Sequence, residues 1–252
     1  RHYMKENKSE NSLLIEGRNA VLEALRSEKP IDKIFVQDGC QDGPVRTIVR
    51  EAKKRDVILN FVDKERLNHL SETGRHQGVI AYGAAYEYAS VEDMLALAEK
   101  KGEDPFLILL DNIEDPHNLG AIIRTANLVG AHGVIIPKRR AAGLTAVVAR
   151  TSAGALNYTP VAKVTNLKKT MEDLKEKGLW FVCADMDGDV MYDVNLKGPI
   201  GLVIGNEGEG VGRLVKETCD FVASVPMKGE IDSLNASVAA GVLAYEILRQ
   251  RL

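Results

Sequence analysis

Three polar, glycine-containing segments carry residue types that could bind a ligand and assist a reaction on it. They are residues 111–120, which lead into an apolar stretch containing Arg124, residues 205–212 and residues 225–237. Each segment follows a run of apolar residues that predicts a buried strand. In open α/β sheets, ligands bind beyond the carboxyl ends of the strands. We therefore expect the three segments to meet at one site.

The first segment places an amide and a guanidinium on one predicted helix. Asp115-Pro116 predicts the start of this helix, with proline at its first position. Asn118 and Arg124 lie six residues apart, or about 9 Å along a helix axis, so both can border one cleft. Arg124 is surrounded in sequence by apolar residues, where an unpaired charge is costly. Two interpretations remain open: a structural salt bridge to Glu114 or Asp115, or a contact with an anion such as phosphate.

The second segment reads Gly-Asn-Glu-Gly-Glu-Gly-Val-Gly. Its glycines permit tight turns and a close approach of the backbone to a ligand. It has neither the Gly-Lys-Ser/Thr of a P-loop nor a GxGxxG dinucleotide fingerprint. Glu207 and Glu209 disfavour a phosphate and suit a cationic or hydroxyl-bearing ligand. A plain strand-to-helix turn would not need so many glycines, so the segment predicts a ligand-binding loop.

The third segment precedes the last predicted helix, which we expect to run from about residue 234 to residue 249. Ser233 can cap this helix through its hydroxyl. Asn235 and Ser237 would then lie in the first helical turn and face the ligand. Free backbone N–H groups at the start of the helix would add donors there.

Helix and strand patterns alternate along the chain, which predicts an α/β protein with a mostly parallel sheet. We predict a small α/β domain at 1–83, a linker with a lead-in helix at 84–104 and a second domain at 105–252. Ser90 and Asp93 resemble a capping box that opens the lead-in helix at 91–101. The other predicted helices are 17–28, 45–55, 118–129, 145–149, 166–177 and 211–217; the predicted strands are 31–36, 57–62, 79–82, 106–110, 133–136, 179–184, 200–204 and 221–225.

Composition limits the functions that the chain can have. Among its 252 residues, 33 Lys and Arg oppose 36 Asp and Glu, so the global basic excess of many nucleic-acid binders is missing. No apolar run approaches the roughly 18 residues of a membrane span. Cys40, Cys183 and Cys219 are far apart and show no metal-binding spacing. The cysteines suit a reducing cytoplasm, where we expect the protein to reside.

Any binding of nucleic acid must therefore use local basic patches. The runs 53–55 and 138–140 are candidates, and each could equally be a solvated surface. The loop at 73–78 carries Arg75 and His76 between two glycines. It is either an ordinary turn or a contact to a polyanion, since both side chains can reach phosphate.

The three segments together resemble the SpoU family of RNA 2′-O-methyltransferases. The resemblance lies, in order, in residues 112–126, 203–210 and 225–238, and covers about 105–252 as a catalytic domain. The first 85 residues resemble the small substrate-binding domain that precedes it in some members, most clearly at 15–21 and 75–78. The whole layout is most similar to that of bacterial 23S rRNA guanosine 2′-O-methyltransferases.

The resemblance implies a fold, a cofactor and a set of site residues. The fold is a SPOUT-type α/β domain with a carboxyl-terminal trefoil knot, and the enzyme is a homodimer. The cofactor is S-adenosylmethionine, bound largely through the backbone at Gly205, Val225, Met227 and Leu234. The substrate is RNA, most specifically 23S rRNA, with no DNA, membrane or metal involved. The catalytic positions are Asn118, Arg124, Glu207, Ser233 and Asn235; the RNA-binding positions are Arg18, Arg75, His76 and Arg124.

Chemistry refines the role of Arg124. The ribose hydroxyl must lose a proton during methyl transfer, but a guanidinium stays protonated and makes a poor base. We therefore expect Arg124 to hold a substrate phosphate and stabilise the developing alkoxide. A basic strip of Arg124, Arg139, Arg140, Arg150 and the Arg75 loop would reconcile RNA binding with the acidic net charge.

Three other functions fit parts of the sequence. A related methyltransferase could act on tRNA or on an rRNA adenosine, because the motif loops serve the cofactor and the ribose rather than the base. A non-catalytic RNA-binding or ribosome assembly factor could share the fold. The presence of Arg124, Glu207 and Asn235 argues against this function, because a site that no longer catalyses a reaction would be free to lose them. A nucleotide-dependent oxidoreductase would fit the α/β pattern but lacks the GxGxxG turn.

Overall fold

A computed structural model describes residues 13–27 and 29–252. The chain forms two compact units. The first unit comprises the described residues up to Glu87 together with Gly143–Ala146, and the second comprises Tyr88–Ala142 and Val147–Leu252. The division thus lies four residues beyond the predicted end of the small domain at residue 83. Within the described residues, no helix combines the length and the apolar character that a bilayer crossing requires.

The first unit is a four-stranded mixed sheet with three helices. Its sheet has the order β1-β4-β2-β3, in which β2 and β3 are parallel while β4 runs antiparallel to both β2 and β1. Strand β3 therefore lies at one edge. The elements are β1 (Leu14–Glu16), α1 (Arg18–Arg26), β2 (Ile31–Gln37), α2 (Gly43–Lys54), β3 (Ile58–Val62), α3 (Lys64–Leu70) and β4 (Val79–Gly83).

Local signals explain the helices of this unit. The Asp42 carboxylate caps α2 by accepting from the Val45 N–H at 3.2 Å, and a proline follows in the first turn. The buried face of α2 carries Val45, Ile48 and Ala52, and its opposite face is charged. This face packs into a core that also holds Ile34 of β2. Amphipathic periodicity therefore decides which side of α2 meets the sheet.

The second unit is a six-stranded sheet in which every strand pair is parallel, as the alternating pattern predicts. Its strand order is β10-β8-β9-β5-β6-β7. The strands are β5 (Phe106–Asp111), β6 (Gly133–Pro137), β7 (Val161–Val164), β8 (Trp180–Val190), β9 (Ile200–Gly205) and β10 (Phe221–Ser224); the α-helices are α4 (Val91–Lys101), α5 (Pro116–Leu128), α6 (Ala146–Thr151), α7 (Leu167–Glu176), α8 (Arg213–Thr218) and α9 (Ala236–Arg251).

Strand β5 lies inside the sheet, and its first five residues are buried. It pairs with β9 along its length, so that Asp111 lies opposite Gly205 where both strands end. The Asp111 carboxylate accepts a hydrogen bond from the Gly212 N–H at 2.7 Å. The first two polar segments therefore start side by side at the carboxyl ends of the strands, as predicted for two of the three segments.

The helix α4 begins where its sequence predicts, but it packs in the second unit. Ser90 and Asp93 form the expected reciprocal capping box. Met94 on this helix is fully buried against Gly133 at the start of β6, where any added Cβ would collide with the methionine side chain. The lead-in helix is therefore part of the core of the second unit.

Several sequence predictions need correction. The last helix starts at Ala236, because Asn235 rather than Ser233 supplies the cap. The short elements β1, α3 and β7 were not predicted, and β8 extends to Val190 instead of ending at residue 184. The first twelve residues of the predicted small domain, and Glu28 at the end of its first helix, lie outside the described residues. Strand order alone does not test the trefoil knot, which stays a prediction.

Candidate active site

The Glu207 carboxylate joins the three polar segments. Its Oε1 accepts from Asn118 Nδ2 at 3.2 Å, from Asn235 Nδ2 at 3.0 Å and from the Ala236 N–H at 2.9 Å. Asn235 Nδ2 also donates to Asn118 Oδ1 at 3.1 Å. Three side chains from distant parts of the chain thus form one closed hydrogen-bonded cluster. We call Asn118, Glu207 and Asn235 the amide–carboxylate cluster.

Asn118 enters the cluster from the first turns of α5. Asp115 caps this helix by accepting from the His117 N–H at 2.8 Å, and Pro116 occupies the first turn, as predicted. Asn118 is only 8% exposed. A buried amide needs partners for its polar atoms, and Glu207 and Asn235 provide them. The start of α5 therefore fixes one corner of the site.

The loop that carries Glu207 is shaped by its own backbone. Asn206 Oδ1 accepts from the N–H groups of Gly208 at 3.0 Å and Glu209 at 2.6 Å, and the Asn206 carbonyl accepts from the Gly210 N–H at 3.0 Å. A Cβ at Gly205 would collide with the Gly210 backbone, so the loop folds back tightly onto its own start. Asn206 was not predicted as a site residue, although an Asn before glycines is a turn signal.

Asn235 serves two structures at once. Its Oδ1 accepts from the N–H groups of Ser237 at 2.9 Å and Val238 at 3.3 Å, which caps α9. Its Nδ2 donates to the amide–carboxylate cluster. The side chain therefore ties the start of a sixteen-residue helix to the site.

Hydrogen bonding keeps Glu207 ionised. The Ala236 N–H is the largest influence that lowers the pKa of this carboxyl, followed by its own backbone N–H; partial burial opposes them, and Asn118 lowers the pKa further. The start of α9 adds the partial positive charge of a helix N-terminus. A carboxylate whose pKa lies below its usual range is a weak proton acceptor near neutral pH. We infer that Glu207 positions its neighbours rather than removing a proton.

A cleft of about 280 Å³ opens beside the cluster. The four positions predicted to hold the cofactor all line it, and so do Glu207 and Ser233. Its apolar lining includes Ile204, Val225 and Leu234, while Asp185 and Asp232 add carboxylates. An apolar site with a few placed polar groups is typical of small-molecule binding. This lining suits a ligand that joins a flat apolar ring to a cationic group.

A lysine outside the cleft fixes one of its walls. Lys216 Nζ of α8 lies 2.8 Å from Asp185 Oδ2 and 3.0 Å from Asp187 Oδ1. The hydrogen bonds that Lys216 donates to Asp185 and Asp187 raise the pKa of Lys216, and the same bond to Asp185 is the largest influence that lowers the pKa of that carboxyl. Sequence reasoning missed this contact, because the three residues come from two elements with no motif between them.

Arg124 and Ser233 lie outside the hydrogen-bonded cluster. Arg124 is exposed on α5 and forms no hydrogen bond or ion pair with any residue in the described ranges. The interpretation of Arg124 as a structural salt bridge to Glu114 or Asp115 is therefore wrong. Ser233 is also exposed and lines the cleft. Both side chains remain available to a ligand.

In the first unit, Glu16 organises the loop predicted to contact RNA. Its carboxylate accepts from the Ser71 hydroxyl, from the Glu72 N–H at 2.8 Å, and from the Thr73 N–H at 3.1 Å and hydroxyl at 2.9 Å. Burial acts to raise the pKa of Glu16, but these hydrogen bonds together hold it below its ordinary value. Arg75 follows in this loop with an exposed side chain.

His76 and Arg18 have structural partners. The His76 ring is 5% exposed; its Nδ1 accepts from the Gly78 N–H at 3.0 Å, so its Nε2 carries the proton toward Asn68 Oδ1 at 2.8 Å. Both ring nitrogens are engaged, and in this conformation His76 shapes the loop instead of facing a ligand. Arg18 Nε donates to the Gln77 carbonyl at 2.9 Å, and its guanidinium pairs with Asp42 at 2.6 Å.

Comparisons with known families match both units. Residues 105–245 match the SpoU rRNA Methylase family. Residues 14–89 match the family described as RNA 2′-O ribose methyltransferase substrate binding. Together the two matches span most of the chain, and the first ends at residue 89, close to the division between the units.

Individual relatives agree with these matches. YacO of Bacillus subtilis, named for the TrmH family of tRNA/rRNA methyltransferases, is 49% identical over 237 residues, covering 93% of this chain and 94% of YacO. The SpoU methyltransferase AviRb from Streptomyces viridochromogenes, solved with AdoMet, has a TM-score of 0.60 at 25% identity and covers 94% of this chain and 90% of its own. A TrmH/SpoU tRNA modifying enzyme of A. aeolicus gives a TM-score of 0.54 at 29% identity, over 59% of this chain and 76% of its own.

Proposed function

Because the chain belongs to the SpoU family and is an S-adenosylmethionine-dependent RNA methyltransferase, we propose that it methylates the ribose 2′-hydroxyl of a guanosine in 23S rRNA. The observation that carries the reaction is the amide–carboxylate cluster beside the 280 Å³ cleft. The choice of 23S rRNA is supported by the leading unit, whose sequence layout resembles that of 23S rRNA guanosine methyltransferases.

The cleft fits the cofactor by the chemistry of its lining. Gly205, Val225, Met227 and Leu234 would hold S-adenosylmethionine, with apolar walls for the adenine and carboxylates facing its positive charges. The bound cofactor supplies an electrophilic methyl group. A Cβ at Gly205 would collide with the Gly210 backbone, so we expect this part of the loop to contact the cofactor through backbone N–H and C=O groups. Backbone groups on a rigid loop hold a ligand with little loss of conformational entropy.

Arg124 is the residue whose charge and exposure best suit a role in acting on the RNA. It is exposed, and it has no partner among the described residues to neutralise it. A free guanidinium can bind a phosphate through two parallel hydrogen bonds and can stabilise the alkoxide that develops on the ribose. The amide–carboxylate cluster holds the start of α5, and thus the helix that carries Arg124, against the start of α9. Ser233 at the cleft would contact the cofactor or the ribose.

We further propose that the enzyme is a homodimer and that Arg124 of one copy acts at the cofactor cleft of the other. This arrangement explains why Arg124 makes no contact with the amide–carboxylate cluster of its own chain. Mixing the inactive Arg124→Ala and Glu207→Ala variants tests it. Recovery of activity in the mixture supports action between copies. A mixture that is no more active than the separate variants means that both groups serve the cleft of the same chain.

The decisive experiment measures methyl transfer from labelled S-adenosylmethionine to unmodified 23S rRNA, tRNA and DNA, with Arg124→Ala as the control. We expect label in 23S rRNA and an alkali-resistant dinucleotide that carries a 2′-O-methylated guanosine, since a blocked 2′-hydroxyl prevents hydrolysis at that position. Label in tRNA alone would support the proposed methyl transfer but would exclude 23S rRNA as the substrate. The tRNA outcome is the main alternative, because relatives are named for both tRNA and rRNA.

A further inference from the structure

We propose that a groove between α2 and the edge strand β3 of the first unit binds single-stranded RNA that flanks the target nucleotide. This inference rests on RNA as the substrate. The groove has a volume of about 690 Å³, and its lining includes Arg46, Val49, Arg50, Lys53, Lys54 and Phe61. Cationic side chains beside an exposed aromatic ring are the pattern by which proteins hold single strands.

The cations follow the helical repeat. Arg46, Arg50 and Lys53–Lys54 recur at spacings of four, three and one residues, which aligns them on one face of α2, and all four side chains are exposed. With a rise of about 1.5 Å per residue, Arg46 and Lys54 are about 12 Å apart along the axis. This stripe can follow several phosphates of one extended strand.

The stripe keeps a positive charge despite one acidic neighbour. Glu51 lies 3.3 Å from Arg50 Nε and 3.4 Å from Lys54 Nζ, and it offsets one of the four charges. Arg46 and Lys53 form no ion pair with any residue that the structure describes. These two cations can therefore accept phosphate partners without breaking an existing contact.

Phe61 gives the groove an apolar surface that a solvated helix face would not need. Its side chain is 55% exposed, and it lies on β3 at the edge of the sheet. The half-buried Val49 of α2 adds a second apolar contact. An exposed ring in a groove that also carries cations can stack on an unpaired base, because every base presents a flat aromatic face. Bases inside a duplex are already stacked and cannot make this contact.

Binding of a fluorescent twelve-residue oligouridylate, followed by anisotropy, tests the groove. We expect Phe61→Leu to weaken binding at least about fivefold through lost stacking and to leave the salt dependence unchanged. We expect Arg46→Gln with Lys53→Gln to reduce the slope of log affinity against log salt by about 1.4, or about 0.7 per lost phosphate contact. A self-complementary RNA duplex should not respond to Phe61→Leu.

Matched variants separate this site from general charge effects. Lys168→Gln with Lys169→Gln removes two lysines of α7 in the second unit, each of which is paired with a carboxylate, and should leave oligouridylate binding close to that of the wild type. Phe61→Trp should bind like the wild type, and its emission should be quenched by the oligonucleotide. The natural chain has a single tryptophan, Trp180, which lies in the second unit and provides the reference signal.

Two results would overturn the proposal. One is unchanged oligouridylate affinity in both Phe61→Leu and the Arg46/Lys53 variant, with circular dichroism showing that both remain folded. The other is equally tight binding of oligoglutamate, with no dependence on Phe61, which would indicate an acidic protein partner. Oligouridylate binding needs no methyl transfer. A failure to methylate 23S rRNA would therefore leave this test intact, and a failure of this test would leave the proposed reaction intact.

Discussion

Glu16 in the first unit and Glu207 in the second unit both fix loops by accepting several hydrogen bonds. Glu16 bonds to neighbouring residues of one loop, whereas Glu207 bonds to segments that are distant in sequence. Glu16 accepts from Ser71, Glu72 and Thr73, which are consecutive residues of one loop. Glu207 accepts from α5 and from the start of α9, and the Asn118–Asn235 contact beside it bridges 117 positions of sequence. The first carboxylate therefore shapes a local surface, while the second holds a site together across the chain.

We expect this difference to separate RNA recognition from catalysis. The loop held by Glu16 presents the exposed Arg75, whereas the amide–carboxylate cluster is closed on itself. Removing Glu16 should disturb the one loop that we expect to contact RNA through Arg75. Removing Glu207 should weaken the contacts among three segments at once. The following predictions test this contrast in order of expected size.

The largest effect is expected for Glu207→Ala. It removes the acceptor shared by two side-chain amides and one backbone N–H; Asn235 still donates to Asn118, but the Nδ2 of the buried Asn118 loses its partner. An unsatisfied buried donor costs about 1–3 kcal/mol, so single-turnover methyl transfer should fall by about a hundredfold. Glu207→Gln keeps one acceptor oxygen without the charge, so its rate of methyl transfer should lie between those of the wild type and Glu207→Ala. Turnover of the alanine variant within twofold of the wild type would contradict the role of the cluster.

A smaller and more selective effect is expected for Glu16→Ala. The loop at residues 71–73 loses four hydrogen bonds, so RNA affinity should fall about tenfold, on the scale of one or two net hydrogen bonds. Calorimetry with S-adenosylmethionine should give an unchanged affinity, because the cleft is lined by the second unit alone. An equal loss of affinity for S-adenosylmethionine would contradict the assignment of RNA binding and cofactor binding to different units.

Lys216→Met tests, within the second unit, whether a contact outside the amide–carboxylate cluster affects cofactor binding alone. Without the ammonium, Asp185 loses its partner and the wall of the cleft loosens. Partly exposed ion pairs contribute modestly, so the KM for S-adenosylmethionine should rise about fivefold while kcat stays within twofold. Lys216→Arg should restore the KM. A fall in kcat without a change in KM would mean that Lys216 affects a step after the binding of S-adenosylmethionine.

The smallest effect concerns acid stability. The pKa values of Glu16 and Glu207 both lie below the ordinary value of 4.5. Each carboxylate therefore stabilises the fold fully above that pH, and the contribution is lost as the pH falls through the lowered pKa. The stability gap between the wild type and either alanine variant should stay constant from about pH 6 to pH 8. Chemical unfolding should show both gaps closing at lower pH.

The convergence of the three segments was predictable because it follows from strand direction. Parallel strands place their carboxyl ends at one edge, and the apolar runs before Asp111 and Gly205 are long enough to identify as strands. The start of α4 was equally clear, since Ser90 and Asp93 form a complete capping box. By contrast, β1, α3 and β7 have between three and seven residues and show no decisive periodicity.

The start of α9 shows where sequence patterns fail. Ser233, Asn235 and Ser237 can all cap a helix, and nothing local chooses among them. The choice falls on Asn235 because its Nδ2 also reaches Asn118 and Glu207, which are distant in sequence. The four cofactor positions likewise came from family resemblance, because spacing alone does not indicate which loop residues line a cleft.

The double use of Asn235 has a consequence for how the sequence can change over evolutionary time. Serine or aspartate at this position could still start α9, but neither has an N–H to offer Glu207. Aspartate would also bring a second negative charge to the cluster. Glutamine has the amide but is too long to cap its own helix in the same way. Selection for folding and selection for catalysis therefore act on the same four side-chain atoms, and the position leaves little room for neutral drift.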